Sequence, residues 1–363
     1  MVDIPRARLS NQLLLREKRR TPAEVVSWLG AVQAQDFAAA KWAVGLRLQS
    51  GTDAEVERAY NDGEILRTHL MRPTWHFIAP QDIRGVLALT AARVRAANAA
   101  MHRKLELDGR YLSRCHRVLA RVLAGERHLT RAELASRLAQ KGIEAKGQRL
   151  AYILMHAELE ALICSGPRNG KQLTYALLEE RVPRTRALSA EEALTRWTLR
   201  YFLSHGPAQA KDFAWWSGMT LEEAQRGLQM AKGKLLREVI DGKTYWRSPG
   251  GEGPNPEVPG VGVAHLLSIY DEYTIAYRDR GALGVERLLE RLISMGNALT
   301  SVVVHDGIIT GTWKRVLDKA KVEIVVSPFR SPRKPEKDAI RAAVADYGAF
   351  LGLPASVRYA GRG

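Results

Sequence analysis

The chain has 363 residues, enough for two or three domains and for a sizeable core without metal or disulfide staples. With 46% hydrophobic and 26% charged residues and no apolar run near the ~20 residues that a membrane span needs, it does not read as an integral membrane protein. The net charge of +16 and a pI near 10.0 point instead to an anionic partner, and 14 Lys and Arg against five acids within residues 93–150 concentrate that charge. Residues 1–20 lack the apolar segment of a secretory signal, and Cys115 and Cys164 are too few for a disulfide framework, so a cytosolic location is expected.

In chain order, Leu9 to Leu15 and then Val25 to Val32 fall at helical spacing, with Thr21-Pro22 as the cap and first residue of the second helix. A third helix is expected from Asp53, stopped at Gly63, and residues 65–78 then read as a hairpin turning at Arg72-Pro73. Three helices followed by a hairpin is the order of a winged helix-turn-helix. The order recurs from Thr130, whose capping box with Glu133 opens a helix, through a second helix from Gly147 and a hairpin tipped by residues 166–170. It recurs again from Ser189, closing on a hairpin with Asp241-Gly242 at its turn. Residues 248–262 are a Gly- and Pro-rich linker, and the strand-like runs beyond it, with a closing helix at 335–350, predict a small α+β domain. The expected division is therefore a first winged helix with a basic helical extension at 1–125, a second at 126–185, a third at 186–250 and a C-terminal α+β domain at 263–363.

Motifs for most enzyme chemistries are missing: there is no GxSxG, Walker A, HExxH or CxxC. The nine histidines lack metal-ligand spacing, and His69 and His76 read as structural or surface residues on a hairpin. Asp271 and Glu272 are adjacent; in a strand they would face opposite ways, which suits a charge network better than a paired acid and base. Gln33 and Gln35 are unusual because they end an apolar stretch. Two carboxamides placed there can hold a water and a sugar ring, or they can simply cap a helix end or face solvent.

Several blocks together resemble the winged-helix DNA glycosylases of the AlkZ and YcaQ type, bacterial enzymes that excise alkylated purines and unhook interstrand crosslinks. Arg8-Leu9-Ser10-Asn11-Gln12-Leu13-Leu14 opens the resemblance, Gln33-Ala34-Gln35 is similar to the family's catalytic Gln-x-Gln motif, and residues 66–77 match its most recognisable stretch. Tyr270-Asp271-Glu272-Tyr273, Tyr277-Arg278-Asp279-Arg280 and Gly311-Thr312-Trp313-Lys314-Arg315 are similar to its C-terminal signature, so the resemblance spans about residues 6–330.

The resemblance implies an α+β protein with three tandem winged helices in a C-shaped arrangement and a β-rich C-terminal domain, gripping double-stranded DNA. It carries the catalytic role onto Gln33 and Gln35, with Asp36 outside the motif, and it implies a monofunctional glycosylase without metal or organic cofactor. Arg103, Lys104, Arg114, Arg117 and Arg149 are candidate phosphate contacts, and Arg168, Asn169 and Lys171 at the second hairpin tip form either a groove probe or a plain surface turn. Three DNA-binding units in one chain remove the usual need to dimerise, so a monomer is expected. The rival reading is a non-catalytic winged-helix DNA-binding protein, a regulator or a damage-binding resistance protein.

Overall fold

A computed structural model describes residues 2–15, 18–182, 188–249, 262–284 and 300–360 of this α+β protein. After α1 (Ile4–Asn11), the capping box of Thr21 and Glu24 starts α2 (Pro22–Leu29). The helix expected to run through Val32 stops at Gly30, whose φ of +85° leaves the helical region, and Ala31–Gln33 form strand β1 instead. Next comes α3 (Phe37–Gly45), which the sequence reading lacked because its buried run from Ala40 to Gly45 shows no amphipathic period. The expected helix α4 (Asp53–Asn61) and the hairpin of β2 (Leu66–Leu70) and β3 (Thr74–Ile78) complete the unit, in the sheet order β1-β3-β2.

Two helices, α5 (Pro80–Ala97) and α6 (Ala99–Lys104), lead to a second unit. It comprises α7 (Gly109–Leu123), β4 (Leu129–Thr130), α8 (Arg131–Ala139), α9 (Gly147–Leu159), β5 (Ile163–Asn169) and β6 (Gln172–Leu177), with sheet order β4-β6-β5. Leu112, Cys115, Leu119 and Leu123 of α7 pack with Leu134, Leu138 and Ile153, so this core begins before the boundary expected at residue 126. The short α10 (Leu178–Arg181) follows.

A third run of the same order is α11 (Ala190–His205), α12 (Ala210–Ser217), α13 (Leu221–Met230), β7 (Leu236–Ile240) and β8 (Lys243–Arg247), with Ala208 bridging to Trp246 where the other units have their first strand. Positive φ at Asp241 and Gly242, 48° and 72°, gives the expected two-residue turn. Most of the linker at 248–262 lies outside the described residues. Beyond it a five-stranded sheet has the order β13-β12-β11-β10-β9. Its members are β9 (Ala264–Leu267), β10 (Val302–His305), β11 (Ile308–Leu317), β12 (Val322–Pro328) and β13 (Ala355–Tyr359). Between β9 and β10 lies α14 (Glu272–Ile275), and α15 (Lys334–Leu351) crosses over to place β13 parallel to β12, a strand that the sequence reading did not anticipate. None of the described helices is long and apolar enough to cross a membrane.

The cores are not confined to single units. Val32 and Phe77 join a core with Leu266, Trp313 and Tyr347 of the C-terminal sheet and its helix, while Ala31, Leu66, Leu70 and Ile78 join another with Tyr201, Phe213 and Trp216 of the third unit. The first sheet is thus buried on both faces, which is what an alternation without polar positions in Ala31-Val32 requires. Trp42 seals one side by donating its indole N–H to the Leu266 carbonyl at 2.7 Å and packing edge-on against Tyr347.

One buried base makes this architecture sensitive to acid. Burial first, then Lys18 and Arg47, pushes the His265 imidazole from 6.5 down to about 4, so the folded state holds it neutral. Between those values the unfolded chain binds more protons, and the contribution to stability is complete above pH 6.5 and lost as the pH falls toward 4. Replacement His265→Gln is expected to lessen the pH dependence of the melting temperature across that window, the buried His76 and His205 keeping their share, as read by thermal denaturation at a series of pH values.

Candidate active site

Gln33 is the last residue of β1 and pairs across to His76 of β3, while Ala34 continues alongside, its N–H donating to the Trp75 carbonyl at 2.7 Å. The expected helix end is therefore extended chain, and in extended chain the i, i+2 spacing puts Gln33 and Gln35 on one side. Gln33 is 8% exposed and Gln35 is exposed. Each carboxamide is oriented by a donor: Arg72 Nη2 donates to Gln33 Oε1 at 3.1 Å, and the Trp75 backbone N–H donates to Gln35 Oε1 at 3.4 Å. Asp36 is occupied as the N-cap of α3, accepting from the Ala39 N–H at 2.9 Å.

The backbone behind Gln33 rests on a carboxylate 239 positions away. Glu272 Oε1 accepts the Gln33 N–H at 2.9 Å, and Oε2 accepts the Trp216 indole N–H at 2.8 Å. Asp271 is held by Arg47 in a two-point ion pair of 2.8 and 2.9 Å, both residues being fully buried, and it also caps α14 through the Tyr273 N–H. The two acids thus flank the start of a helix, and each has its own cation or donors, in keeping with the charge-network reading. Gln12 joins this network, its carbonyl accepting from Arg47 and its side chain donating to Tyr277 at 2.9 Å.

Three residues beside the carboxamides were not singled out from the sequence. Arg72 is pushed down by burial while Glu272 pulls it back up, and Arg280 is pushed down by burial and by Arg72, so two cations share this corner. Trp215 of α12 is 45% exposed, its indole N–H donating to the Ile275 carbonyl at 3.1 Å, and Arg72 lies over its ring at 5.9 Å. Arg72 and Arg280 do belong to quoted motif blocks, but nothing local in the sequence brings them to Gln33. His76, across from Gln33, is buried; that burial and Arg72 hold its imidazole well below 6.5, and it is neutral near pH 7. His69 is bonded to the buried Glu158. Among the described residues no group of three His, Cys, Asp or Glu side chains is placed to hold a metal ion.

The candidate DNA contacts divide into two groups. Arg103, Lys104, Arg114, Arg117, Asn169 and Lys171 are exposed. Arg114 donates to the Lys141 carbonyl, and Arg149 stacks on Tyr111 at 4.4 Å, 3.8 Å from Glu106. Arg168 is drawn inward: its guanidinium meets Glu57 of α4 at 2.8 Å and its N–H meets Asn61 at 2.8 Å, which docks the second unit's hairpin on the first unit.

Comparison with known proteins places this geometry. Residues 26–350 match the family described as DNA glycosylase AlkZ-like. A curated relative, the interstrand DNA cross-link repair glycosylase of Streptomyces sahachiroi, is 27% identical over 354 residues, covering 93% of this chain and 94% of that protein. The solved structure of Streptomyces sahachiroi DNA glycosylase AlkZ superposes with a TM-score of 0.81 at 21% identity, covering 99% of this chain and 98% of the other. The protein is thus a DNA glycosylase, an enzyme hydrolysing N-glycosyl bonds. It belongs to the AlkZ-like family of those enzymes.

Removing one side of the buried ion pair behind the site leaves the other charge uncompensated. Asp271→Asn is expected to cost about 3–5 kcal/mol of stability, measured by denaturant unfolding at pH 7. Unfolding indistinguishable from wild type would show that Arg47 finds another partner.

Proposed function

We propose that this glycosylase hydrolyses the N-glycosidic bond of N7-alkylated purines in duplex DNA, bulky adducts and interstrand crosslinks included, and leaves an abasic site. N7-alkylation makes the base cationic and a ready leaving group, so little acid catalysis is needed. The enzyme has to place a water and stabilise an oxocarbenium-like sugar. Gln33 and Gln35 perform that work. The observation that carries the assignment is the tethering of both carboxamides, Gln33 through Arg72 and Gln35 through the Trp75 N–H. With each oxygen already accepting one bond, its second lone pair and the amide N–H2 remain for the water and the sugar. Pre-oriented neutral dipoles suit a reaction whose electrophile is already activated. The crosslink activity named for the curated relative supports the wider lesion range.

In this reading the three helix–strand–helix–helix–hairpin units are winged helices that hold the duplex in a C-shaped arrangement. Arg103, Lys104, Arg117, Asn169 and Lys171 reach phosphates or a groove, the enzyme acts as a monomer in the cytoplasm, and no metal or organic cofactor takes part. Arg168 serves as a strut between units and not as a groove probe, since its guanidinium is held by Glu57.

The test is a duplex carrying one N7-methylguanine, incubated with protein, cleaved by alkali and resolved on a gel. The wild type is expected to give an alkali-labile site, and the Gln33→Ala, Gln35→Ala double variant to lose it while keeping duplex affinity within a few-fold. Excision unchanged in the double variant overturns the assignment of the residues; no excision by the wild type on this lesion, a bulky adduct or a crosslink overturns the proposed lesion range. Affinity for duplex should also fall steeply with salt, and Arg103→Ala with Lys104→Ala should lower the log–log salt slope by about 1 to 2.

A further inference from the structure

On the other side of the catalytic strand lies a cavity of about 710 Å³ between the first and second units. Register puts Val32, Phe77 and Arg67 on one face of the first sheet and Gln33, His76 and Thr68 on the other, and the cavity is lined by Arg67 and Trp75 from the first of these faces. Its volume is within the range of small-molecule sites.

The lining has an unbalanced charge. Arg67 is 8% exposed, its Nε donates to the Ala34 carbonyl at 2.9 Å and its guanidinium stacks on Trp75 at 4.3 Å. Among the described residues no carboxylate is within ion-pair distance of it, and the one acid in the lining, Glu158, is bonded to His69. Glu158 and Asp36 act on Arg67 only from beyond ion-pair distance, so a cation this deeply buried lacks a paired counter-charge, and an anion arriving from outside would offset that cost. Burial accordingly pushes the Arg67 guanidinium down from its ordinary value. Arg131, Lys146 and Lys171 add further positive charge to the lining. Lys146 and Gly147 also begin α9, a helix of 13 residues whose N-cap side chain makes no capping bond, so amide donors at that end are available to an anion. Leu150, Trp75 and Tyr175 supply flat apolar wall beside these donors.

A nucleotide joins an anion to a flat ring, and we propose that this cavity binds one, with its phosphate toward Arg67 and the N-terminus of α9 and its base between the aromatic and leucine walls. Seated one strand away from Gln33 and Gln35, it would hold a nucleotide other than the one being hydrolysed. The inference rests on the glycosylase reading only for where that nucleotide comes from. The phosphate and ring are shared by a nucleotide of a DNA strand and by a free mononucleotide.

Quenching of 2-aminopurine fluorescence by Trp75 tests it, with the full chain titrated against 2-aminopurine riboside 5′-monophosphate, the unphosphorylated riboside and a six-nucleotide single strand containing 2-aminopurine. Saturable quenching of the monophosphate supports a free-nucleotide site, and quenching of the strand alone supports a strand nucleotide. The riboside should bind at least tenfold more weakly than the monophosphate or the strand. Ala135→Trp, which fills the cavity from α8, and Lys146→Glu at its mouth should each weaken binding at least tenfold, whereas the Gln33→Ala, Gln35→Ala double variant should bind as the wild type does. No saturable quenching of any probe, a riboside as tight as the phosphorylated probes, or wild-type affinity in Lys146→Glu overturns the proposal even if Ala135→Trp fails to fold. Excision of N7-methylguanine by the wild type is scored separately, so that loss of one reading leaves the other standing.

Discussion

The buried pair of Arg47 and Asp271 is the constraint on which the site depends. It joins α3's C-terminal end to the segment after β9, 224 positions on, and fixes the first turn of α14 by capping it. Glu272 is the next residue, so the ion pair determines where the carboxylate beneath Gln33 sits. Two fully buried charges gain little net stability over a well-packed apolar pair, but they tolerate only one geometry. That geometry passes through Glu272 to β1 and to Trp216 of the third unit. Three separately wound units therefore meet on two adjacent acids.

How much of this was legible in the sequence depended on how local the signal was. The capping box at Thr130 announced α8 because the whole signal lies within four residues, and the box is closed in the structure. The hairpin turn at Asp241-Gly242 was readable for the same reason. β1 was not, since three apolar-flanked residues after a helix carry no alternation long enough to separate strand from helix end. β13 was hidden by its dependence on a crossover helix and a parallel partner.

The candidate site divides along the same line. Gln33 and Gln35 stood out as polar residues in an apolar context and through a resemblance of motifs, but the donors that orient them come from the turn after β2 and from β3. Arg72 reaches Gln33 from 39 positions away and Glu272 from 239, distances over which a single sequence holds no pattern. Arg168 shows the converse. A basic residue in a Gly- and Asn-rich turn looked free to probe a groove, yet Glu57, already held by Lys41 at 2.6 Å, takes its charge.

That engagement changes what the second unit can do. A hairpin whose tip is clasped by Glu57 and Asn61 cannot swing out as an independent finger, and Arg181 adds further bonds to the carbonyls of Tyr60 and Asn61 at the same helix end. The spacing between the first two units is set before any encounter, like the jaws of a gauge already locked at one opening. The entropy of arranging those jaws is spent during folding instead of on association, and adjustment on contact falls to the partner.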